Sequence, residues 1–246
     1  MDQHTNQHAR PVWLNEYSQP VGPALPGWKP SIPPQPCTLQ GRYCRLEGLD
    51  PLRHREDLCA AYSSASDGRD WTYLFAEPFA YAAGFAAYLA AEAAREDRVS
   101  FAIMDAASGR ALGIFALLRI DASNGAIEIG NVNFSPALKH TRIATEAHYL
   151  MMRHVFETLG YRRYEWKCDS LNAPSRTAAE RLGFCFEGIF RQAVVYKGRS
   201  RDTAWFSILD GEWPRLRGAF EAWLVPQNFD AQGHQLRALA DFRRAL

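Results

Sequence analysis

The chain has 246 residues and 27.8 kDa, with 47% hydrophobic and 22% charged residues, which supports a self-sufficient apolar core and excludes disorder as a description of the whole. At roughly 150 residues per domain, the length allows one large domain or two small ones. A formal net charge of +1 excludes strong non-specific attraction to nucleic acid or anionic lipid.

Eight of the 14 prolines fall within the first 36 residues, where helix and central strand are both blocked, so this lead is predicted to be extended or draped over a surface. Trp13, Tyr17 and Trp28 give it more apolar surface than a spacer needs. Its first residues lack an apolar run behind a basic start, which argues against a secretory signal. Arg42 to Leu49 alternates as a strand, and Asp50-Pro51 opens a helix to about Ser63, the aspartate as cap and the proline in the first turn. Phe79 to Arg95 reads as a helix too short to span a bilayer. Val99–Met104, Leu112–Ile120 and Ala126–Phe134 read as an antiparallel meander with turns at Ser108-Gly109 and Asn124-Gly125.

After Pro136, the apolar positions Ile143, Ala147, Leu150, Met151, Val155 and Leu159 lie close to one helical face, closed by Gly160. Arg163–Cys168 is the next strand, and Asn172 caps a helix that Gly183 stops. Phe184–Val195 and Thr203–Leu209 are predicted strands separated by a basic loop, Lys197 to Arg201. A helix from about Trp213 to Trp223 and a charged tail complete the chain. Cys37, Cys44, Cys59, Cys168 and Cys185 are odd in number and form no C-x-x-C pair, which argues against a disulfide framework or structural zinc and for a cytoplasmic setting.

Two junctions carry the chemistry. In NVNFSPALKHTRIATEAH a helix starts just after a strand, so its first amides and positive dipole suit a phosphate. Thr141, Arg142, Ile143, Ala144 and Thr145 would supply N–H donors, with charge from Lys139 and Arg142. The second junction is DSLNAPSRTAAERLGF. In this order the two resemble the GNAT acetyltransferase superfamily, and more closely its ribosomal-protein N-acetyltransferase-like branch, over roughly Thr38 to Asp210. The family's Q/R-x-x-G-x-G/A loop corresponds to Lys139 through Ala144, followed by the T-E-A ending Thr145-Glu146-Ala147. Lys139 stands for the usual Gln or Arg, Arg142 for the first glycine, and Ala144 at the permitted Gly/Ala position. The hallmark N-x-x-S-x-x-x-A-E-x-L-G-F is carried by Asn172, Ser175, Ala179, Glu180, Leu182, Gly183 and Phe184.

The resemblance implies an α/β (α+β) GNAT fold, a mixed, mostly antiparallel sheet of about six or seven strands with a central splayed pair, flanked by helices. It implies acetyl-CoA as co-substrate, with pantetheine between Ile129–Phe134 and Trp166–Asp169 and oxyanion donors near Asn131, Val132 and Asn133. Asn172 would touch the coenzyme and Ser175 would protonate the leaving thiolate. Glu128 ranks first as general base, ahead of Asp169 and Glu187, with Tyr196 as a reserve acid. No metal site is expected, because His140, His148 and His154 lack ligand spacing. The expected organisation is a proline-rich extension (1–37), an acetyltransferase domain (38–210) and a C-terminal helical extension (211–246). The expected activity is acetyl transfer to a primary amine, on a small molecule or a protein N-terminus, by a monomer or homodimer without nucleic acid or membrane. The alternatives are another acyl-CoA such as succinyl-CoA, or a non-catalytic acyl-CoA-binding module suggested by the altered glycine.

Overall fold

The computed structural model describes residues 12–79 and 82–245, and the chain divides after Pro30. In the first unit, Met1–Pro30, strand β1 (Trp13–Leu14) pairs antiparallel with β2 (Pro20–Val21). Asn15 Oδ1 closes the turn by accepting from the Tyr17 and Gln19 amides at 3.0 and 2.9 Å. A proline is tolerated in β2 because a two-stranded ribbon leaves outer edges unpaired.

The second unit, Ser31–Leu246, begins ahead of the predicted boundary at residue 38. Its anchor is local: the Ser31 and Ile32 amides donate to Ala122 O and Leu159 O, both at 2.9 Å. The unit is built on strands β3 (Leu39–Gln40), β4 (Cys44–Gly48), β5 (Arg98–Asp105), β6 (Ala111–Asp121), β7 (Ala126–Phe134), β8 (Arg163–Asp169), β9 (Cys185–Tyr196) and β10 (Arg199–Leu209). They form one eight-stranded sheet in the order β3-β4-β5-β6-β7-β8-β10-β9, with β7 and β8 parallel and the other neighbours antiparallel. The predicted meander is β5 to β7.

Helices cover the sheet because alternate residues of its central strands are apolar on both faces. Helices α1 (Pro51–Ser63) and α2 (Ala82–Ala93) bury Leu58, Phe85 and Leu89 with Ala102, Met104 and Ile114. Helix α3 (Arg142–Arg153) and, beyond it, α5 (Trp213–Trp223) bury Leu150, Met151 and Phe220 with Phe115, Leu117, Ile127 and Tyr164. Helix α4 (Ala173–Leu182) follows β8, and α6 (Leu239–Ala245) packs against α5. Because α5 supplies Trp213, Leu216 and Phe220 to the core, the segment after Asp210 is structural rather than appended. No described helix is long and apolar enough to cross a membrane.

Three local outcomes differ from expectation. Helix α3 continues as a single π-type turn, His154–Thr158, before Gly160 reverses the chain with φ 72°. The predicted basic loop reduces to Lys197-Gly198, while Arg199, Ser200 and Arg201 pair within β10. Both turn residues have positive φ, 49° and 68°, as a two-residue hairpin with primed geometry demands. Helix α2 begins at Ala82, and Phe79 is not helical; residues 80 and 81 lie outside the described residues.

Candidate active site

The central parallel pair parts midway. Residues Ala126 to Ile129 of β7 pair with Arg163 to Trp166 of β8, and beyond that level both strands continue without pairing to each other. A bulge causes the separation: Ile114 and Ala116 of β6 face Asn133 and Gly130, so β7 carries one residue in excess, and Asn131 absorbs it at φ 48°. The bulge also shifts the alternation. Ile127 and Ile129 pack against the α3 layer, and past it so do Val132 and Phe134. Asn131 and Asn133 therefore turn toward α1 and α2. There Asn131 Nδ2 donates to Glu92 Oε2 at 2.9 Å, and the Tyr62 hydroxyl donates to Asn133 O at 2.7 Å. The Asn133 side-chain Nδ2 is buried without a partner.

On the α3 side, Thr141 caps the helix, its hydroxyl oxygen accepting from the Ala144 amide at 3.2 Å. The Thr141 and Thr145 amides donate to Leu138 O and Thr141 O, so three of the five predicted donors are already used. The amides of Arg142 and Ile143, the first two of α3, remain for a ligand. Lys139 pairs with Asp70. The Arg142 guanidinium lies 4.4 Å from the Tyr43 ring centroid and 5.4 Å from that of Phe229, outside the cleft. Asn172 caps α4, Oδ1 accepting from the Ser175 amide at 3.1 Å, which leaves its Nδ2 available. Ser175 Oγ accepts from Trp166 Nε1 at 2.9 Å, so its own proton can be offered elsewhere. Gly183 ends α4 at φ 105°, where any Cβ would meet Leu216.

On the opposite face Glu128 is 6% exposed. Its Oε2 lies 3.0 Å from Lys167 Nζ and 3.2 Å from Arg119 Nε. Lys167, its side chain also 6% exposed, reaches Glu165 Oε2 at 2.6 Å and sits 3.7 Å from the Trp205 ring centroid. Burial pushes the Glu128 carboxyl above its ordinary value, and the two cations oppose that shift without cancelling it. Of the lower-ranked acids, Asp169 accepts from the Tyr196 hydroxyl at 2.8 Å, and Glu187 is committed to Arg163 at 2.5 Å and to the Ser207 hydroxyl at 2.7 Å. Burial and the adjacent Asp169 raise the Tyr196 phenol to about 12. The connection between α1 and α2, residues 64–79, crosses this face. Tyr73 donates to Leu171 O at 3.2 Å, and Lys197 Nζ donates to Trp71 O at 2.8 Å.

Lys167 and Arg119 escape sequence reasoning, since a lysine between Trp166 and Cys168 resembles any outward-facing strand residue. In the sequence His148 reads only as a histidine without metal-ligand spacing. Its ring is buried beneath the cleft, with centroids 5.6 Å from Phe115, 5.6 Å from Phe134 and 5.4 Å from Trp166. Burial, with the nearby Arg181 charge, lowers its pKa to about 3, so it is neutral at pH 7. Below about pH 6.5 the unfolded chain binds a proton that the folded protein refuses. Stability should therefore fall as pH drops from about 6.5 toward 3, by up to about 1.4 kcal/mol per unit from this group. Urea melts across that range should show a shallower loss in His148→Phe, and an unchanged slope would refute the assignment.

The sequence profile of the acetyltransferase (GNAT) domain matches residues 48–185. A crystal structure of a GCN5-related N-acetyltransferase from Brucella melitensis is 49% identical and superposes with a TM-score of 0.87, covering 89% of this chain and 100% of that one. A GNAT-family protein from Chromobacterium violaceum ATCC 12472 is 43% identical with a TM-score of 0.74, covering 80% and 98%. YdaF of Bacillus subtilis (strain 168), provisionally named a ribosomal N-acetyltransferase, is 30% identical over 105 residues, 43% of this chain. The match spans only 57% of that relative's length. With the domain match covering more than half the chain and lying across the splayed strands and both helix caps, the protein belongs to the GNAT acetyltransferase family.

Proposed function

We propose that the protein is an acetyl-CoA-dependent N-acetyltransferase in which a primary amine on the Glu128 face attacks the thioester directly. The observation that carries this reading is the gap beyond Ile129 and Trp166, which has an anion-suited helix start on one side and a buried carboxylate on the other. The donor set fits acetyl-CoA. Unpaired β7 backbone suits the amide-bearing pantetheine arm, the Arg142 and Ile143 amides suit pyrophosphate, and Asn172 Nδ2 suits a carbonyl. Acetyl-CoA supplies the electrophilic thioester carbon.

The chain's own groups handle protons. As the N–C bond forms and the C–S bond breaks, Glu128 takes a proton from the amine, directly or through one water. Ser175, holding the Trp166 N–H as acceptor, gives its proton to the departing thiolate and regains one from water as Glu128 releases the amine's proton to solvent. A peptide α-amine has a pKa near 8 against about 10.4 for lysine, which leaves about 200-fold more free base at neutral pH. That difference, and the ribosomal naming of YdaF, support a protein N-terminus as acceptor.

Calorimetric titration with acetyl-CoA followed by thiol release across peptides, polyamines and small amines tests the reading, with succinyl-CoA run in parallel. No binding at millimolar acetyl-CoA overturns it. Binding without thiol release from any amine leaves a binding module instead. Ser175→Ala is expected to lower kcat about a hundredfold with little change in KM. It should also cost about 1 kcal/mol of stability, because the Trp166 N–H loses its acceptor. Unchanged kcat would limit Ser175 to packing.

A further inference from the structure

Arg201 sits on the same face of the sheet as Glu128, because residues 201, 203 and 205 of β10 share a side and Trp205 of that series covers Lys167. It is only 9% exposed, and its Nε is buried without a hydrogen-bond partner. Among the described residues no carboxylate oxygen lies within 4.0 Å of the guanidinium, and no hydrogen bond engages it. The nearby acids are committed elsewhere: Asp169 accepts from the Tyr196 hydroxyl and the Leu171 amide, and Asp202 accepts from the Gln192 amide. What holds Arg201 is aromatic, with the Phe75 and Tyr196 centroids 5.9 and 5.7 Å away. Cation–π contacts at such range compensate only part of the cost of taking a full charge out of water. A planar fork with its stem buried and its charge unmatched suits a carboxylate, which it can bind through two parallel N–H bonds.

Register supplies a ruler. Phe206 lies opposite Trp166, where the central strands part, and Thr203 lies opposite Asp169, where β8 ends. At about 3.3 Å per residue, Arg201 stands about 17 Å beyond the first level and about 7 Å beyond the second. An α-amino acid, whose amine and carboxylate share one carbon, cannot bridge that span. An extended peptide whose N-terminal amine lies in the gap brings a side chain of about its third to fifth residue to Arg201.

We propose that Arg201 is an acceptor-specificity residue that binds an acidic side chain near the third to fifth position of a peptide whose N-terminal amine is acetylated. This rests on the acetyl-transfer reading above, and the test separates the two. The probes are amidated pentapeptides identical except for Glu, Gln, Lys or phosphoserine at position four. Each is titrated by calorimetry into the full-length protein in the presence of coenzyme A, and each is assayed for thiol release with acetyl-CoA. The expected result is at least tenfold tighter binding and at least tenfold higher kcat/KM for the Glu peptide than for the Gln peptide. Arg201→Met should bring the Glu peptide to within about twofold of the Gln peptide, and Arg201→Lys should restore part of the preference. Equal binding of the Glu and Gln peptides by the unaltered protein overturns the proposal without needing any variant to fold. So does a preference that survives in Arg201→Met, or a tenfold preference for phosphoserine over Glu. A Glu preference in binding with no acetylation of any peptide supports the Arg201 site while removing the acetyl-transfer reading. Acetylation without a Glu preference does the reverse.

Discussion

Glu128→Gln is expected to lower kcat/KM at least a hundredfold while leaving the affinity for acetyl-CoA within about twofold, because a positioned general base contributes about 10²–10⁴ in rate. The carboxylate is on the α1–α2 face of the sheet and 6% exposed, and its pKa is raised by burial. A raised pKa strengthens it as a base, and it also sets a condition. Turnover should fall on the acid side at a pH above about 4.3, the ordinary carboxylate value, since protonated Glu128 cannot accept from the amine. Lys167 and Arg119, at 3.0 and 3.2 Å, restrain that rise. Lys167→Met should therefore move the acid limb to higher pH, a change that simple loss of stability would not produce. Thiol release measured from pH 5 to 9 on the three proteins decides the matter. If Glu128→Gln keeps full turnover, the carboxylate is only the partner of Lys167 and Arg119, and the base lies elsewhere.

Glu146→Gln carries the largest expected effect on stability. This carboxylate projects from the first turns of α3 and accepts the backbone amides of Arg42, Tyr43 and Cys44 at 2.9, 2.6 and 2.8 Å. It thereby closes the turn between β3 and β4 and ties the sheet edge to α3. Glutamine offers one acceptor oxygen and turns an NH2 group toward donors that have no other partner. Leaving one or two buried amides unsatisfied, together with the lost charge assistance, costs about 3 kcal/mol. For a domain of this size that corresponds to a fall in Tm of about 6–12 °C. Gly41→Ala should act on the same contact, because an added Cβ would lie 2.6 Å from Glu146 Oε2. Thermal melts of the two variants provide the check, and a loss below about 1 kcal/mol in Glu146→Gln would show that the turn holds without the carboxylate.

Much of the scaffold is written locally. Asp50, Thr141 and Asn172 cap their helices through oxygens that accept amides two or three residues ahead, so the helix starts are readable from a few consecutive letters. Gly183 and the Asn124-Gly125 turn are equally short-range. The boundary at the basic hairpin was less legible. Arg199 to Arg201 look like loop residues by charge, yet they pair in β10 because Lys197 and Gly198 reverse the chain within two residues. The lead shows the same limit, since no nearby residue signals that Ser31 and Ile32 bond to Ala122 and Leu159.

The sequence by itself determined the order of strands and helices, their caps, and the two motifs on which the family rests, because each depends on neighbours a few residues apart. Which faces those residues occupy was decided by tertiary structure. One extra residue at Asn131 parts β7 from β8 and redirects every side chain after it. Lys167 becomes the partner of Glu128 only because parallel strands carry both to one buried face, and the Arg142 guanidinium turns to Tyr43 and Phe229 because those rings are folded against it. Burial and charge pairing are long-range properties, set by residues tens of positions away, so the raised pKa of Glu128 and the unmatched charge of Arg201 emerge only once the sheet has assembled.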